Sequence, residues 1–211
     1  GIAIYSQDTV NIGKMTVQSD TPDVDFDKLT GDLKKRIKGD VDIRVQSTNA
    51  GLELRADQVV VAREALKEIR PNIRIMSTGD SLEIYKEVGL PKDVASRFDI
   101  AKMSGSHGIG HTRMATESAV TTMGAHPFNT GSDQCLVHNG SLSNHNSLRR
   151  KLRRDGVHIE TENDTEVGAA YLTWKMQNGS TLGEALESSL EDLDGFFTFV
   201  VGTKDGFGVA V

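Results

Sequence analysis

Three short segments of the 211-residue chain carry residue types that could do chemistry together: GHTRMAT (Gly110 to Thr116), VHNGSLSN (Val137 to Asn144) and ENDTEV (Glu162 to Val167). Arg113 offers a planar guanidinium fork that matches a carboxylate bidentately. Taken alone it reads equally as a salt-bridged surface arginine. Asn139 and Gly140 follow the apolar pair Leu136-Val137, which places them at a strand end. There they form either a plain turn or an oxyanion hole, with the carboxamide and a backbone N–H aimed at one developing charge. Asp164 is either a helix N-cap or a carboxylate for a ligand cation. In combination the three segments suit an α-amino acid, a zwitterion that needs one cation, one anion and a cradle for its reacting side chain. Arg113 would take the carboxylate, Asp164 the ammonium, and Asn139 with Gly140 a tetrahedral oxyanion. A mismatched ligand would then leave a buried charge unpaired, which gives discrimination.

The other chemistry-bearing residues read differently. All six histidines lie between His107 and His158, in a region also dense in glycine, so the chemistry is expected between about residues 105 and 166. Their spacing lacks a His-x-x-x-His or Cys-x-x-Cys pattern, so no metal site is expected. The single cysteine, Cys135, excludes an internal disulfide framework and sits in an apolar run, as a small buried hydrophobe would. With 30 acidic against 24 basic residues, a net charge of −6 and 5% aromatic content, a nucleic-acid partner is disfavoured. No apolar run reaches the roughly 18 residues of a membrane span and no signal peptide is visible, so the expectation is a cytoplasmic, membrane-free protein.

Periodicity places these residues on elements. Ile2 to Tyr5, Asn11 to Gln18 and Val41 to Val45 read as strands; Phe26 to Ile37 and Val59 to Ile69 have helical spacing. Pro91 suits the first turn of a short helix through Phe98. A helix is expected from Ser143 to Asp155, capped by Ser143 or Asn144, and a second from Asp164 or Thr165 to just before Gly179. Thr181 and Glu184 have capping-box spacing for a third, ending near Gly195. Phe196 to Gly202 and Phe207 to Val211 read as a hairpin about Lys204-Asp205-Gly206. On the first of these helices Arg149 and Arg153 form one row and Arg150 and Arg154 another, either a solvated face or a dock for an acidic partner. Without a Gly/Ser-rich or Pro-rich linker, residues 1–211 read as a single domain.

At the three segments the sequence resembles the class II glutamine amidotransferases of the N-terminal-nucleophile hydrolases, whose GHTR-x-AT, HNG and DTE motifs occur in this order. The segments Ser118 to Phe128, Asp133 to Arg150 and Asp192 to Thr203 are similar to the GlxB-type amidotransferase-like branch, associated with N-methylglutamate synthase and glutamate-synthase-like systems. The resemblance implies an α/β (α+β) fold of four αββα layers, two stacked antiparallel sheets between helical layers, with residues 20–104 partly an elaboration of that branch. It also implies glutamine hydrolysis or glutamyl handling for a partner synthase. Arg113, Thr116 and Asp164 would bind substrate, and Asn139 and Gly140 would form the oxyanion hole. Met114 stands where several relatives have tryptophan and Glu117 where some have histidine, both pocket positions in the family. The family's nucleophile is an N-terminal cysteine. This chain starts at Gly1 in a strand that would follow that segment, so it reads as trimmed at both ends and, as written, without the nucleophile. Glutamine or glutamate would be the small-molecule ligand. FMN and iron–sulfur clusters would belong to synthase partner subunits in a hetero-oligomer, with no cofactor in this chain. The alternative is a non-catalytic assembly subunit that retains the fold.

Overall fold

The structure is a computed structural model that describes residues 1–7, 10–21, 23–113 and 120–211. Thr116, Met114 and Glu117 lie outside the described residues. Among the described residues every strand pairing is antiparallel, and the strands form three sheets. The first has β1 (Ile2–Tyr5) between β6 (Leu82–Tyr85) and β7 (His107–Gly110). The second runs β11 (Gly206–Ala210), β10 (Gly195–Thr203), β9 (Gln134–Leu142), β8 (Phe128–Gly131).

These two sheets stack because alternate side chains of each strand point the same way. Ala3, Tyr5, Leu82, Ile84 and Ile109 from the first meet Cys135 and Val137 of the second in one core. The opposite face of the second sheet, with Leu136, Phe199 and Val201, packs on three helices: α4 (His145–Arg154), α5 (Asp164–Gln177) and α6 (Leu182–Asp192). Helix α5 is buried on almost every side from Thr165 to Thr173, so it is an interior strut rather than an amphipathic surface helix. Thr181 and Glu184 do form the capping box that starts α6.

The third sheet has the order β3 (Val41–Gln46), β4 (Asn49–Arg55), β2 (Ile12–Ser19), β5 (Ile73–Gly79). Its apolar face carries Met15, Val17, Leu52 and Leu54. It packs on Leu29 and Leu33 of α1 (Phe26–Ile37) and on Ala62 and Leu66 of α2 (Val59–Ile69). Asp133 ties this unit to the stacked pair: its buried carboxylate accepts the backbone N–H groups of Asp80, Ser81 and Leu82 at 2.8, 2.9 and 3.0 Å. The short helix α3 (Pro91–Arg97) follows β6, and Phe98 at its end packs against the Tyr85 ring. Among the described residues no helix is long and apolar enough to cross a membrane.

Candidate amino-acid site

Asp164 opens α5, but it does not cap it. The N-cap is Asn163, whose side chain accepts the Thr165 N–H at 2.8 Å. That frees the Asp164 carboxylate for other contacts, and its Oδ2 accepts the Leu142 N–H of β9 at 3.0 Å. This bond ties the start of α5 to the strand that carries Asn139 and Gly140. Both of those residues are exposed and lie within β9, opposite Thr198 and Phe197 of β10, rather than in the expected strand-end turn, because pairing with β10 continues through Leu142. Gly140 has φ +139°, and a Cβ there would lie 2.0 Å from the Phe196 carbonyl oxygen. Only glycine fits that position.

Strand β9 runs on through Leu142, so of the two expected caps it is Asn144 that precedes α4, which begins at His145. Ser143 instead donates its N–H to the Asp194 carbonyl at 2.8 Å.

Arg113 lies where the chain leaves β7. Its Nη1 donates to the Gly124 carbonyl at 3.2 Å, and Asn163 Nδ2 donates to the same oxygen at 3.5 Å. One carbonyl therefore joins the Arg113 segment to the residue beside Asp164. Arg113 also lines a cavity of about 520 Å³ with His111, Ala125, His126, Gly1 and Val94. Asn139, Gly140 and Asp164 are not among the residues lining that cavity. The structure thus connects the three expected groups through hydrogen bonds and adjoining backbone, and it puts Arg113 alone on the cavity wall.

Beneath the site lies a buried polar network that the motifs alone did not reveal. The Thr165 hydroxyl sits 3.0 Å from His126 Nε2 and 3.1 Å from His138 Nδ1. The His138 backbone N–H donates to His126 Nδ1 at 3.4 Å, which makes that nitrogen an acceptor. A neutral His126 then carries its proton on Nε2 and donates it to Thr165 Oγ1; Thr165 in turn donates to His138 Nδ1. His126 is indeed neutral: burial pushes its pKa down to about 2, helped by neighbouring cationic and histidine groups. His138 is lowered as well, because burial outweighs the pull of Asp164. Since His138 Nδ1 is an acceptor and stands 3.9 Å from Asp164 Oδ2, it does not consume the carboxylate. Asp164 keeps acceptor capacity for a ligand cation.

Arg149 corrects the expectation of a solvated arginine row. Its side chain is 5% exposed; it forms an ion pair with Glu162 Oε2 at 3.0 Å and donates to Asn146 Oδ1 at 2.7 Å and to the Asn163 carbonyl at 3.5 Å. Arg153 donates to the Ile159 carbonyl at 2.9 Å. Glu166 accepts the Glu160 and Thr161 N–H groups at 2.7 and 2.6 Å. All three grip the 159–163 loop, which delivers Asp164 to its place.

Cys135 is fully buried between the sheets, accepts the Tyr5 hydroxyl at 3.3 Å, and has its thiol pushed up to about 11 by burial. It is a packing residue with no nucleophilic character.

Residues 111–208 match the glutamine amidotransferase domain family. The glutamine amidotransferase-like protein GlxB of Rhizobium meliloti (strain 1021) is 62% identical over 209 residues, spanning 99% of this chain and 69% of that protein. The chain belongs to the class II glutamine amidotransferases. A putative glutamine amidotransferase of Methanothermobacter thermautotrophicus (strain Delta H) is 41% identical over 141 residues, 66% of this chain. A glutamine–fructose-6-phosphate aminotransferase (isomerizing) of Vibrio vulnificus (strain YJ016) is 33% identical over 129 residues, 61% of this chain. The chain spans only 46% and 21% of the length of these last two proteins. Arg113, Asn139, Gly140 and Asp164 all fall inside the matched amidotransferase domain, whereas β1 to β6 and α1 to α3 precede it.

Proposed function

We propose that this amidotransferase binds glutamine as a zwitterion and releases its amide nitrogen, or passes on its glutamyl group, to a partner synthase. Arg113 would hold the α-carboxylate with help from Thr116, and Asp164 the α-ammonium. Asn139 and the Gly140 N–H would stabilise the tetrahedral oxyanion formed at the side-chain amide. The observation that carries this reading is the Asp164 carboxylate. It is fixed to β9 through Leu142, relieved of capping α5 by Asn163, and left with acceptor capacity near the strand that carries Asn139 and Gly140.

The nucleophile would be a cysteine with its thiolate formed by a nearby base, attacking the amide carbon as ammonia leaves and a γ-glutamyl thioester forms; water then releases glutamate. Cys135 is not that residue. The partner would be a cytoplasmic synthase of the N-methylglutamate or glutamate-synthase-like kind, and any FMN or iron–sulfur cluster would lie in its subunits. The 62% identity to a protein named glutamine amidotransferase-like supports the amidotransferase part of this reading.

Glutaminase assays on the full-length protein test the reading. R113A should raise the KM for glutamine with little change in kcat, and N139A should lower kcat by about a hundredfold or more. If the full-length protein neither hydrolyses nor binds glutamine, it is an assembly subunit that has kept the fold.

A further inference from the structure

Lys86 follows the last residue of β6, and its ammonium is enclosed by the chain. Three carbonyls converge on Nζ: Ala125 at 2.8 Å, Pro127 at 3.1 Å and Met123 at 3.5 Å. The nitrogen also stands 4.2 Å from the centroid of the Phe128 ring. An ammonium has three N–H donors and no acceptor, so it can serve three carbonyls of one loop at once; no neutral side chain of similar length can. A buried cation is costly unless it is fully bonded, so this enclosure is a built feature rather than a chance contact.

The loop so held is the one behind Arg113. Its Gly124 carbonyl receives Arg113 Nη1, and its Ala125 and His126 line the same cavity as Arg113. The next residue, Glu87, reinforces the grip: its Oε1 accepts the Thr122 hydroxyl at 2.5 Å, while its Oε2 lies 3.5 Å from Arg97 of α3 and 3.5 Å from Gln18 of β2. Within the loop, the Gly124 N–H donates to Thr121 Oγ1 at 3.0 Å and the Ala125 N–H to the Thr122 carbonyl at 3.2 Å. Among the described residues, the Lys86 ammonium bonds to carbonyls of the 121–127 loop and not to Arg113, Asn139, Gly140 or Asp164.

We propose that Lys86 is a positioning residue: it staples the 121–127 loop so that the Gly124 carbonyl holds Arg113 in its carboxylate-binding orientation. This rests on the reading of Arg113 as the carboxylate anchor. It gives the strand that leaves the third-sheet unit a direct hold on the substrate site, since Lys86 and Glu87 both come from that connection.

Calorimetric titration of the full-length protein with L-glutamine at about pH 5.5, where Lys86 holds its third proton, combined with hydrogen exchange, tests it. K86M keeps the length of the side chain and removes every donor. It should weaken glutamine binding tenfold or more and lower protection at the Gly124 and Ala125 amides, while amides of α6 keep native protection. K86R, which keeps cationic donors, should recover most of the affinity. Unchanged affinity and loop protection in K86M would overturn the proposal, as would protection lost equally in α6. If the wild-type protein binds no glutamine, the functional reading fails, and loop protection still decides the staple. Should K86M not fold, side-chain nitrogen NMR on the wild-type protein decides the same point. The Lys86 ammonium protons should exchange far more slowly than those of exposed Lys35, and equal exchange would refute the staple.

Discussion

Arg149 of α4 reaches the Glu162 carboxylate at 3.0 Å while its own side chain is almost wholly buried, and Glu162 itself is 83% exposed. The pair is asymmetric. The arginine serves the loop before Asp164 from inside, whereas the glutamate contributes from solvent. Replacing Arg149 with Met should cost about 1–3 kcal/mol, because Asn146 and the loop lose a buried charged donor. Replacing Glu162 with Ala should cost no more than about 0.5–1 kcal/mol. Chemical denaturation of the two variants checks this, and equal losses would contradict it.

Gly140 carries a second expectation. With φ +139° and the Phe196 carbonyl where a Cβ would go, G140A must move β9 away from β10. A loss of roughly 2 kcal/mol or more is expected, together with lost glutaminase turnover. A G140A protein with wild-type stability would contradict this close approach of β9 and β10.

Thr165 joins two neutral imidazoles. T165V keeps the volume of the side chain but leaves His126 Nε2–H and His138 Nδ1 without their shared partner. About 1–3 kcal/mol should be lost, and the imidazole nitrogen resonances of both histidines should shift together. A shift confined to one ring would refute the ordered relay.

The pH dependence of stability follows from the buried groups. The unfolded chain protonates His126 near its ordinary value of about 6.5, while the native ring resists until about 2. Below pH 6.5 the unfolded state therefore binds more protons, and stability falls as pH falls. His111 and His138 are lowered in the same direction by burial. Lys86, lowered by burial to about 7, acts in the alkaline range. Between that value and about 10.4 the unfolded lysine holds a proton that the native one has released, so this group makes stability rise with pH. Urea titrations from pH 7 to 10 should show that rise in the wild-type protein and a flatter profile in K86M. An identical slope in both would place the titration elsewhere.

The helices were legible in the sequence because their signals are local. The spacing of Phe26, Leu29, Leu33 and Ile37 and the Thr181–Glu184 box needed no tertiary context. Strands β4, β5 and β6 were not read. Asn49, Ser77 and Glu83 are buried polar residues on β4, β5 and β6, so simple alternation of apolar and polar residues is blurred. In the site, Arg113, Asn139, Gly140 and Asp164 stood out because a zwitterion demands those chemical types. Lys86 did not, since Tyr85-Lys86-Glu87 looks like any solvated strand end until the carbonyls of residues 123, 125 and 127 are brought to it from some 40 positions away. Arg149 was misread for the same reason: a helical wheel shows its neighbours on α4 and not the loop folded over them.

The central claim is that Asp164 recognises the α-ammonium of glutamine, and one calorimetric comparison reaches it directly. The wild-type full-length protein and D164N would each be titrated with L-glutamine and with 5-amino-5-oxopentanoate, which has the same amide and carboxylate but no ammonium. The account predicts that D164N weakens glutamine binding by at least about tenfold, as expected when a charged partner is removed from a paired site, and leaves binding of the ammonium-free analogue essentially unchanged. Equal weakening of both ligands, or of neither, would contradict it.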